Sequence, residues 1–295
     1  MTSRRTSPQT YVISALVIAA TSLLGACGSD EPKEKPPAIV LRPPVEPANF
    51  SDPTTIDNKY FPMPVGREYT LEGTADRGGG QLPHQVIITV TDLTKIIDGV
   101  DTVVVWERDV NEGKLFETEL AFFAQDDDGN LWNLGEYPEE YNDKGKFLGA
   151  PSTWISGLSS AQGGIHVQGD PKPGTESYLT GLAPEVNFID GARVESVNRQ
   201  ACGRIGCFPN VLVIDEWNMT PGDGHQLKNY APGVGLLRVD PRGGDEEESL
   251  LLTEVKELDS EAIRKVRDSA RRLDERGYQH GGKDYSQTPP VAGPN

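Results

Sequence analysis

The stretch Lys114-Leu-Phe-Glu-Thr-Glu-Leu-Ala-Phe-Phe-Ala-Gln-Asp-Asp-Asp-Gly-Asn-Leu-Trp-Asn-Leu134 decides the fold class that the sequence predicts. In its first half, Leu120 and Phe122 fall on one side of an extended chain, and Glu117 and Glu119 fall on the other. This period of two is typical of a β-strand with one apolar face. The first half of the stretch therefore predicts a strand.

A turn and a return strand follow. Asp128-Gly129 is typical of a tight hairpin, because both residues tolerate a positive φ. Residues 130–134 then form a short run that includes Trp132. The whole stretch predicts an antiparallel hairpin.

Similar signals recur on both sides of this hairpin. Residues 86–91 alternate in the same way, and residues 102–108 form a β-branched and aromatic run. After residue 192, five further segments are separated by Gly, Pro and Asp clusters, whereas residues 135–191 are difficult to assign. We predict a mainly β fold of about nine or ten strands, a curved antiparallel sheet in the form of a half-barrel or barrel, with a sandwich as an alternative.

One α-helix is predicted at the C-terminal side. Asp259 or Ser260 can cap its first turn, and Gly277 can end it. Val266, Ala270 and other apolar residues lie on one narrow face, which favours a helix packed across the sheet. Residues 277–295 are polar and rich in Pro and Gly, so we predict that this tail is disordered.

The N-terminus predicts an export signal. Arg4 and Arg5 precede an apolar run that ends in Leu24-Gly-Ala-Cys27. These last four residues resemble the lipobox of bacterial lipoproteins. The resemblance implies that residues 1–26 are removed and that Cys27 carries a diacylglyceryl group and an amide-linked acyl chain such as palmitate. It also implies a cell-envelope location, lipid-anchored on the outer face of the cytoplasmic membrane or in the outer membrane.

The region after Cys27 predicts a spacer and then one domain. Residues 27–55 are rich in proline and predict an extended tether. Residues 56–276 predict a single β-rich domain with its closing helix. Loss of residues 1–26 removes Arg4 and Arg5 and no acid, so the formal charge changes from −17 to −19. This charge repels phosphate backbones and argues against nucleic-acid binding.

The two remaining cysteines, Cys202 and Cys207, are separated by four residues. In an oxidising compartment, a pair this close predicts a structural disulfide. A redox pair usually has two intervening residues, and a zinc site needs two further ligands at a matching spacing. We therefore predict a disulfide, with the redox and metal alternatives less favoured.

No catalytic, cofactor or metal motif is evident in the sequence. The segment around Asp126 resembles a calcium loop only superficially, because Gly129 stands at the wrong position. Glu136, Glu139 and Glu140 could in principle supply a glycosidase-like acid and base, but a solvated acidic loop is favoured. The four histidines are isolated in the sequence. We predict a protein that is not an enzyme and has no cofactor.

Three tryptophans fall on predicted strands, namely Trp106, Trp132 and Trp217. On the concave face of a curved sheet they could line an apolar cavity. The alternative, which burial of aromatic residues in general favours, is that they fill the core.

Three segments of the domain are similar to parts of uncharacterised exported bacterial proteins, many of them lipoproteins. They are Thr55-Ile-Asp-Asn-Lys-Tyr-Phe-Pro62, Phe122-Phe-Ala-Gln-Asp126 with Gly129-Asn-Leu-Trp132, and Tyr230-Ala-Pro-Gly-Val-Gly235. This group implies no activity and no functional residues. The architecture also resembles, more loosely, the half-barrel lipoprotein-localisation carriers, in which a curved sheet wraps an apolar cavity.

Three functions are compatible with these features. The first is a non-enzymatic lipoprotein that binds an apolar small molecule or lipid. The second is an envelope scaffold or protein-interaction module whose partner the sequence does not identify. The third and least favoured is a hydrolase of cell-wall or extracellular polymers that uses the acids around Glu136.

Overall fold

The computed structural model describes residues 39–40, 44–76, 80–219, 224–243 and 247–294. Cys27 and the predicted export signal lie outside these described residues. Within the described ranges, no helix is long and apolar enough to cross a membrane.

Most of the described chain is β-structure. The strands are β1 (Ile39–Val40), β2 (Arg67–Asp76), β3 (Gln81–Ile97), β4 (Val100–Asn111), β5 (Lys114–Gln125), β6 (Leu131–Tyr141), β7 (Phe147–Gly149), β8 (Trp154–Ile155), β9 (Gln162–Val167), β10 (Ser177–Ala183), β11 (Phe188–Gly203), β12 (Gly206–Asn218), β13 (His225–Ala231), β14 (Gly235–Arg242) and β15 (Glu247–Glu257). Two α-helices follow, α1 (Ser260–His280) and α2 (Gly282–Tyr285), and short 3-10 helices span Pro47–Asn49 and Pro184–Val186.

Twelve of these strands close into an antiparallel barrel. Each strand from β2 to β6 and from β10 to β15 pairs with the next in the chain, and β15 pairs with β2. Strand β9 closes the ring because it pairs with both β6 and β10. Strands β1, β7 and β8 add to this ring through β10 and β6.

The prediction of a mainly β fold with one long C-terminal helix is confirmed, but the predicted number of strands was too low. The extra strands include β7, β8 and β9, in the region that was difficult to assign. They are two to six residues long, and β9 contains Gly163 and Gly164. Glycine is depleted in strands, so the pattern of this closing strand does not indicate β-structure.

The N-terminal segment fills one end of the barrel, which we call the plug end. Asn58 Nδ2 donates a hydrogen bond to the Gly129 carbonyl oxygen (2.8 Å), and Gly233 N donates to the Lys59 carbonyl oxygen (2.8 Å). Phe61 packs inside against Tyr69 and other aromatic rings. The opposite end, where β4 turns into β5 and where β12 ends, is called the mouth end.

The described part of the predicted tether also packs on the barrel. Val45 and Phe50 are buried, and the Phe50 ring meets that of Trp132 at a centroid distance of 5.9 Å. Residues 44–55 therefore differ from the extended spacer that their proline content predicts. The apolar side chains between the prolines account for the difference, because they gain burial against the barrel.

Helix α1 covers the outer face of the barrel. Asp259 caps it by accepting hydrogen bonds from Glu261 N (3.0 Å) and Ala262 N (2.8 Å). Its buried face includes Val266, Ala270 and Leu273. The apolar stripe is therefore used as predicted, against the outer face of a closed barrel rather than across an open sheet.

The chain beyond residue 277 is ordered rather than disordered. Helix α1 continues to His280, and Tyr285 of α2 is fully buried. Thr94 N of β3 donates a hydrogen bond to the Ala292 carbonyl oxygen (2.9 Å), which ties the last described residues to the barrel. The prediction of disorder rested on the polar composition of the whole tail, and an average composition does not show that a single tyrosine in it is buried.

Candidate functional site

Charged side chains from opposite walls of the barrel point into the same lumen. Glu107 of β4, Glu119 of β5 and Glu136 of β6 influence each other's ionisation, and Glu107 and Glu136 also interact with Lys228 of β13. These strands lie on different sides of the ring, so the side chains can meet only inside it. Asp190 and Glu216 complete the group. We call the following six residues the lumen cluster: Glu107, Glu119, Glu136, Asp190, Glu216 and Lys228.

The strand register explains why acids accumulate on one wall. Side chains alternate between the two faces of a strand. Glu107 lies directly opposite Glu119 in the β4–β5 ladder, and Asp109 lies opposite Glu117 two residues further on. All four therefore lie on the face that points into the barrel. Like charges directly opposite each other destabilise a sheet, so this arrangement is costly for folding.

Two cavities border the lumen cluster at the mouth end. The larger has a volume of about 240 Å³, and its walls include Asp190, Glu216 and Trp217. The smaller has a volume of about 120 Å³, and its walls include Glu107 and Glu119. Both cavities are therefore lined in large part by charged or polar side chains.

Burial makes the carboxyl groups of the lumen cluster weaker acids. Burial, reinforced by the charge of Glu136, raises the pKa of Glu107 to about 7. Burial and the charge of Glu216 raise the pKa of Asp190 to about 8. The pKa values of Glu119 and Glu136 are also raised, first by burial. Part of the cluster is therefore protonated near neutral pH.

The ammonium group of Lys228, the basic residue of the lumen cluster, already has a partner within the protein. Lys228 Nζ donates a hydrogen bond to Glu216. Burial is the largest single influence on the pKa of Lys228 and lowers it, but the charge and hydrogen bond of Glu216, together with Tyr230 and Asp190, outweigh burial and raise it. Nearby His166 has a pKa lowered to about 4, by burial and then by the charge of Lys228, so it is neutral at neutral pH. Lys228 is thus the one charged base of the cluster.

The acids of the cluster differ in their hydrogen bonds. Glu136 accepts hydrogen bonds from Asn133 Nδ2 (2.5 Å) and from Trp154 Nε1 (2.9 Å). Glu216 is bound by Lys228. In the part of the chain that the structure describes, no hydrogen-bond donor reaches the carboxyl groups of Glu107 or Glu119. These two groups face the lumen without a protein donor.

Below the lumen cluster, aromatic rings close the plug end. Phe61 packs against Tyr69 and Tyr230 at centroid distances of 5.7 Å. His166 lies between the rings of Phe61 and Phe123. The barrel interior therefore has an aromatic floor beneath a charged upper half.

The three predicted tryptophans do not line the lumen. Trp106 is next to Glu107 on β4 and so points outwards, where its Nε1 donates to Thr118 Oγ1 (2.8 Å). Trp132 donates to Asp126 Oδ2 (2.8 Å), beside Phe50 of the N-terminal segment. Trp217 follows Glu216 and stacks on His225 at the rim of the larger cavity. Trp106 and Trp217 alternate with the lumen residues Glu107 and Glu216 on their strands. Trp132 pairs with Ala124, whose position on β5 alternates with that of Glu119, so all three tryptophans lie on the outer face.

The acids around Glu136 do not form a solvated loop, contrary to the favoured interpretation of the sequence. All three lie on β6, with Glu136 in the lumen and Glu139 on the outer face. Glu139 is fully buried and accepts hydrogen bonds from Arg276 Nε (2.7 Å) and Tyr137 Oη (2.6 Å). The structure therefore separates these acids instead of pairing them.

The predicted disulfide and the predicted hairpin after β5 are found where the sequence placed them. Cys202 and Cys207 form a disulfide with an S–S distance of 2.06 Å at the turn between β11 and β12. Asp126 and Gly129 lie in the hairpin between β5 and β6, and Gly129 has a φ of 78°. Among the described residues, no group of His, Cys, Asp and Glu side chains is arranged to hold a metal ion.

Sequence reasoning missed Glu107, Glu119, Asp190, Glu216 and Lys228. The alternation in β5 did place Glu117 and Glu119 on the face opposite to the apolar residues. It did not show which of the two faces points into the barrel. His84 was also read as isolated, but it lies between Asp109 (3.2 Å) and Glu248 (3.4 Å). Burial alone would lower the pKa of His84, but the hydrogen bonds and charges of these two acids together outweigh burial and raise it to about 10.

Comparison with known proteins adds little to this geometry. No family model matches the chain, and no curated protein matches it. A solved structure from Parabacteroides distasonis, of a protein with a provisional lipoprotein assignment, is similar over 67% of this chain and 98% of its own. The identity is 12% and the TM-score is 0.31. A similarity at this level carries no argument for fold or function.

Proposed function

We propose that this protein is a non-enzymatic lipoprotein of the cell envelope that binds a small hydrophilic ligand in its barrel. The observation that carries this proposal is the lumen cluster, in which charged groups from both walls border cavities at the mouth end. Ligand sites are concave and contain a few convergent polar groups with shifted pKa values. The lumen cluster has these properties.

A hydrophilic ligand fits the lumen better than the apolar molecule or lipid that the sequence suggested. The walls of the two cavities carry Asp190, Glu216, Glu107 and Glu119. An apolar molecule there would desolvate these groups without replacing their hydrogen bonds, which is unfavourable. A hydrophilic molecule can supply those bonds.

The closed ring also bears on the hydrolase alternative. A polymer hydrolase needs a cleft along which a chain can lie, whereas the lumen cluster lies inside a ring of twelve paired strands. This geometry favours a small bound molecule over a polymer. An envelope scaffold that uses only its outer surface would not need acids in the lumen.

Native mass spectrometry of the full-length chain, purified in detergent from a bacterial host, tests this proposal. We expect an added mass that is lost on denaturation and that corresponds to a water-soluble compound. A lipid-sized adduct would support the apolar alternative. The absence of an adduct, together with no binding from a library of hydrophilic metabolites, would favour the scaffold.

The membrane anchor is supported by the lipobox at residues 24–27. Metabolic labelling with an alkyne fatty acid tests it directly. We expect label on the wild-type protein and none on a Cys27→Ser variant. The double variant Cys202→Ser/Cys207→Ser is the matched control, because it loses the other cysteines and should keep its label. Equal labelling of the Cys27→Ser variant would contradict the anchor.

A further inference from the structure

We propose that the lumen recognises a small organic cation, with its ammonium or guanidinium group held between Glu107 and Glu119. This inference rests on the proposed function, because it names the class of ligand for the same lumen. Three independent features of the described residues support it: the balance of charge, the distribution of hydrogen bonds and the cost of the arrangement for folding.

The charge balance of the lumen favours a cation. Five carboxyl side chains and one lysine form the lumen cluster. The single ammonium group of Lys228 is already bound to Glu216. His166 is neutral and adds no positive charge. Two further cations border the smaller cavity, but His84 is held by Asp109 and Glu248, and Arg108 is held by Glu68. A bound cation would replace the missing countercharge and allow more of these acids to ionise.

The hydrogen bonds point to one part of the cluster. Glu136 has two protein donors and Glu216 has Lys228. Glu107 and Glu119 have no donor among the described residues, although both line the smaller cavity. Carboxylates satisfy their lone pairs best with charged N–H donors. An ammonium or guanidinium group carries several such donors in a small volume.

The pairing of two acids in the ladder lowers the stability of the fold, and this cost favours a role in binding. Glu107 and Glu119 are direct cross-strand neighbours in the ladder, and their like charges oppose folding whenever both carboxyl groups are ionised. Among the described residues, neither side chain makes a hydrogen bond that would offset this cost. Groups that weaken a fold and gain nothing from it are typical of functional sites.

An organic cation fits better than a metal ion. Among the described residues, the acids do not converge as a set of metal ligands. Val86 also lines the smaller cavity, and its apolar side chain can contact the methylene groups of an organic molecule.

Isothermal titration calorimetry of the full-length chain at pH 8, above the pKa of about 7 of Glu107, tests the inference. The probes are putrescine, agmatine and cadaverine, each of which carries charged N–H donors, and 1,4-butanediol serves as the neutral analogue of putrescine. We expect at least one cation to bind and the diol not to bind. The variant Glu107→Gln/Glu119→Gln should weaken that binding about tenfold or more, because neutral amides replace two charged acceptors.

The matched control is the variant Glu72→Gln/Glu254→Gln. It removes the same charge from the outer surface, where both side chains are well exposed. We expect its affinity to equal that of the wild type. If the double lumen variant does not fold, the single variant Glu119→Gln answers the same question, because one amide is nearly the same shape as the carboxyl group.

The outcomes separate this inference from the proposed function. Failure of all three cations to bind, equal binding of the diol, or full affinity in the lumen variant would each overturn the cation assignment. Binding of Ca²⁺ in place of the organic cations would also overturn it. In that case, a co-purified neutral or anionic compound in the native mass spectrum would still support ligand binding in the lumen. The absence of any ligand would contradict both the cation assignment and the proposed binding function.

Discussion

Two sets of charged groups, one buried and one half-buried, lie on opposite faces of the same wall of the barrel. Beneath helix α1, Lys95 donates hydrogen bonds to Asp274 Oδ1 (2.7 Å), Tyr278 Oη (3.0 Å) and the Pro289 carbonyl oxygen (2.7 Å). In the lumen, Glu107 and Glu119 have no donor among the described residues. The first set is fully paired, and the second is not.

This difference distinguishes a structural role from a binding role. A buried charge costs free energy unless a partner and hydrogen bonds compensate it. The set beneath the helix meets this condition, and it connects β3 to α1 and to the last residues of the chain. The lumen cluster does not meet it, so its acids weaken the fold. If the distinction is correct, substitutions in the two sets should change stability in opposite directions.

The largest effect is expected beneath the helix. The variant Lys95→Met removes the ammonium group and leaves the Asp274 carboxylate buried without its charge partner. We expect the free energy of unfolding to fall by about 3–5 kcal/mol, as measured by urea denaturation. The control Lys265→Met removes an exposed lysine that pairs with Glu261 on the surface of α1, and its effect should be about 0.5 kcal/mol or less. Similar values for the two variants would contradict the structural role of Lys95.

The opposite sign is expected in the lumen. The variant Glu107→Gln/Glu119→Gln removes two half-buried acids that repel each other when both are ionised, and it should raise the free energy of unfolding by about 1–3 kcal/mol at pH 8. The outer-surface variant Glu72→Gln/Glu254→Gln should change it by about 1 kcal/mol or less. Stabilisation together with loss of ligand binding would mark Glu107 and Glu119 as functional. Destabilisation would show that the lumen acids support the fold.

The pH dependence of stability sharpens the same comparison. The pKa of Asp190 is raised to about 8 from an ordinary value of 3.8, so the folded state keeps a proton that the unfolded state loses. This contribution is fully present below the unfolded pKa and is lost as the pH rises through about 8. Glu107 likewise contributes stability that is lost as the pH rises through about 7. The contribution of His84 is lost as the pH rises from about 6.5 to about 10.

We therefore expect the protein to be less stable at pH 8 than at pH 6.5. His166, whose pKa is lowered, acts in the opposite sense but only below about pH 6.5. The share that depends on Asp190 should be about 1–2 kcal/mol over this interval, and the variant Asp190→Asn should lose it. Urea denaturation at the two pH values measures this share. An equal loss of stability in the variant would exclude Asp190 as its source.

The two faces also explain what the sequence could and could not predict. The alternation in β5 correctly predicts a strand, but an apolar face is usually assigned to the interior. Here Phe122 packs outside the ring near Tyr285, with centroids 6.3 Å apart, while Glu119 faces the lumen. The helix covers the apolar outer face, so alternation alone could not show which side is inside.

The sequence pattern also could not show that the sheet closes into a complete ring. It depends on β9, whose Gly163 pairs with Gly181 of β10 and whose Gly164 pairs with Asn133 of β6. A Cβ atom at Gly164 would lie 2.4 Å from the Thr180 carbonyl carbon, so the close approach of the backbones requires glycine there. The same residue that permits closure weakens the strand pattern. The disulfide between Cys202 and Cys207, by contrast, depends on local spacing and was predicted correctly.

The smallest effects should come from two tryptophans on different faces. Trp106 is on the outer face, and the variant Trp106→Phe loses one hydrogen bond to Thr118, which should cost about 1 kcal/mol and leave ligand affinity unchanged.

Trp154 was not predicted as a site residue, but its Nε1 holds Glu136 in the lumen. The variant Trp154→Phe should have a similar cost in stability and also weaken cation binding, because Glu136 loses a donor that favours its charged form. Unfolding and calorimetry on both variants compare the two faces directly. Equal affinities in the two variants would show that the orientation of Glu136 does not contribute to binding, whereas weaker binding only in Trp154→Phe would place Glu136 beside Glu107 and Glu119 in the recognition of the ligand.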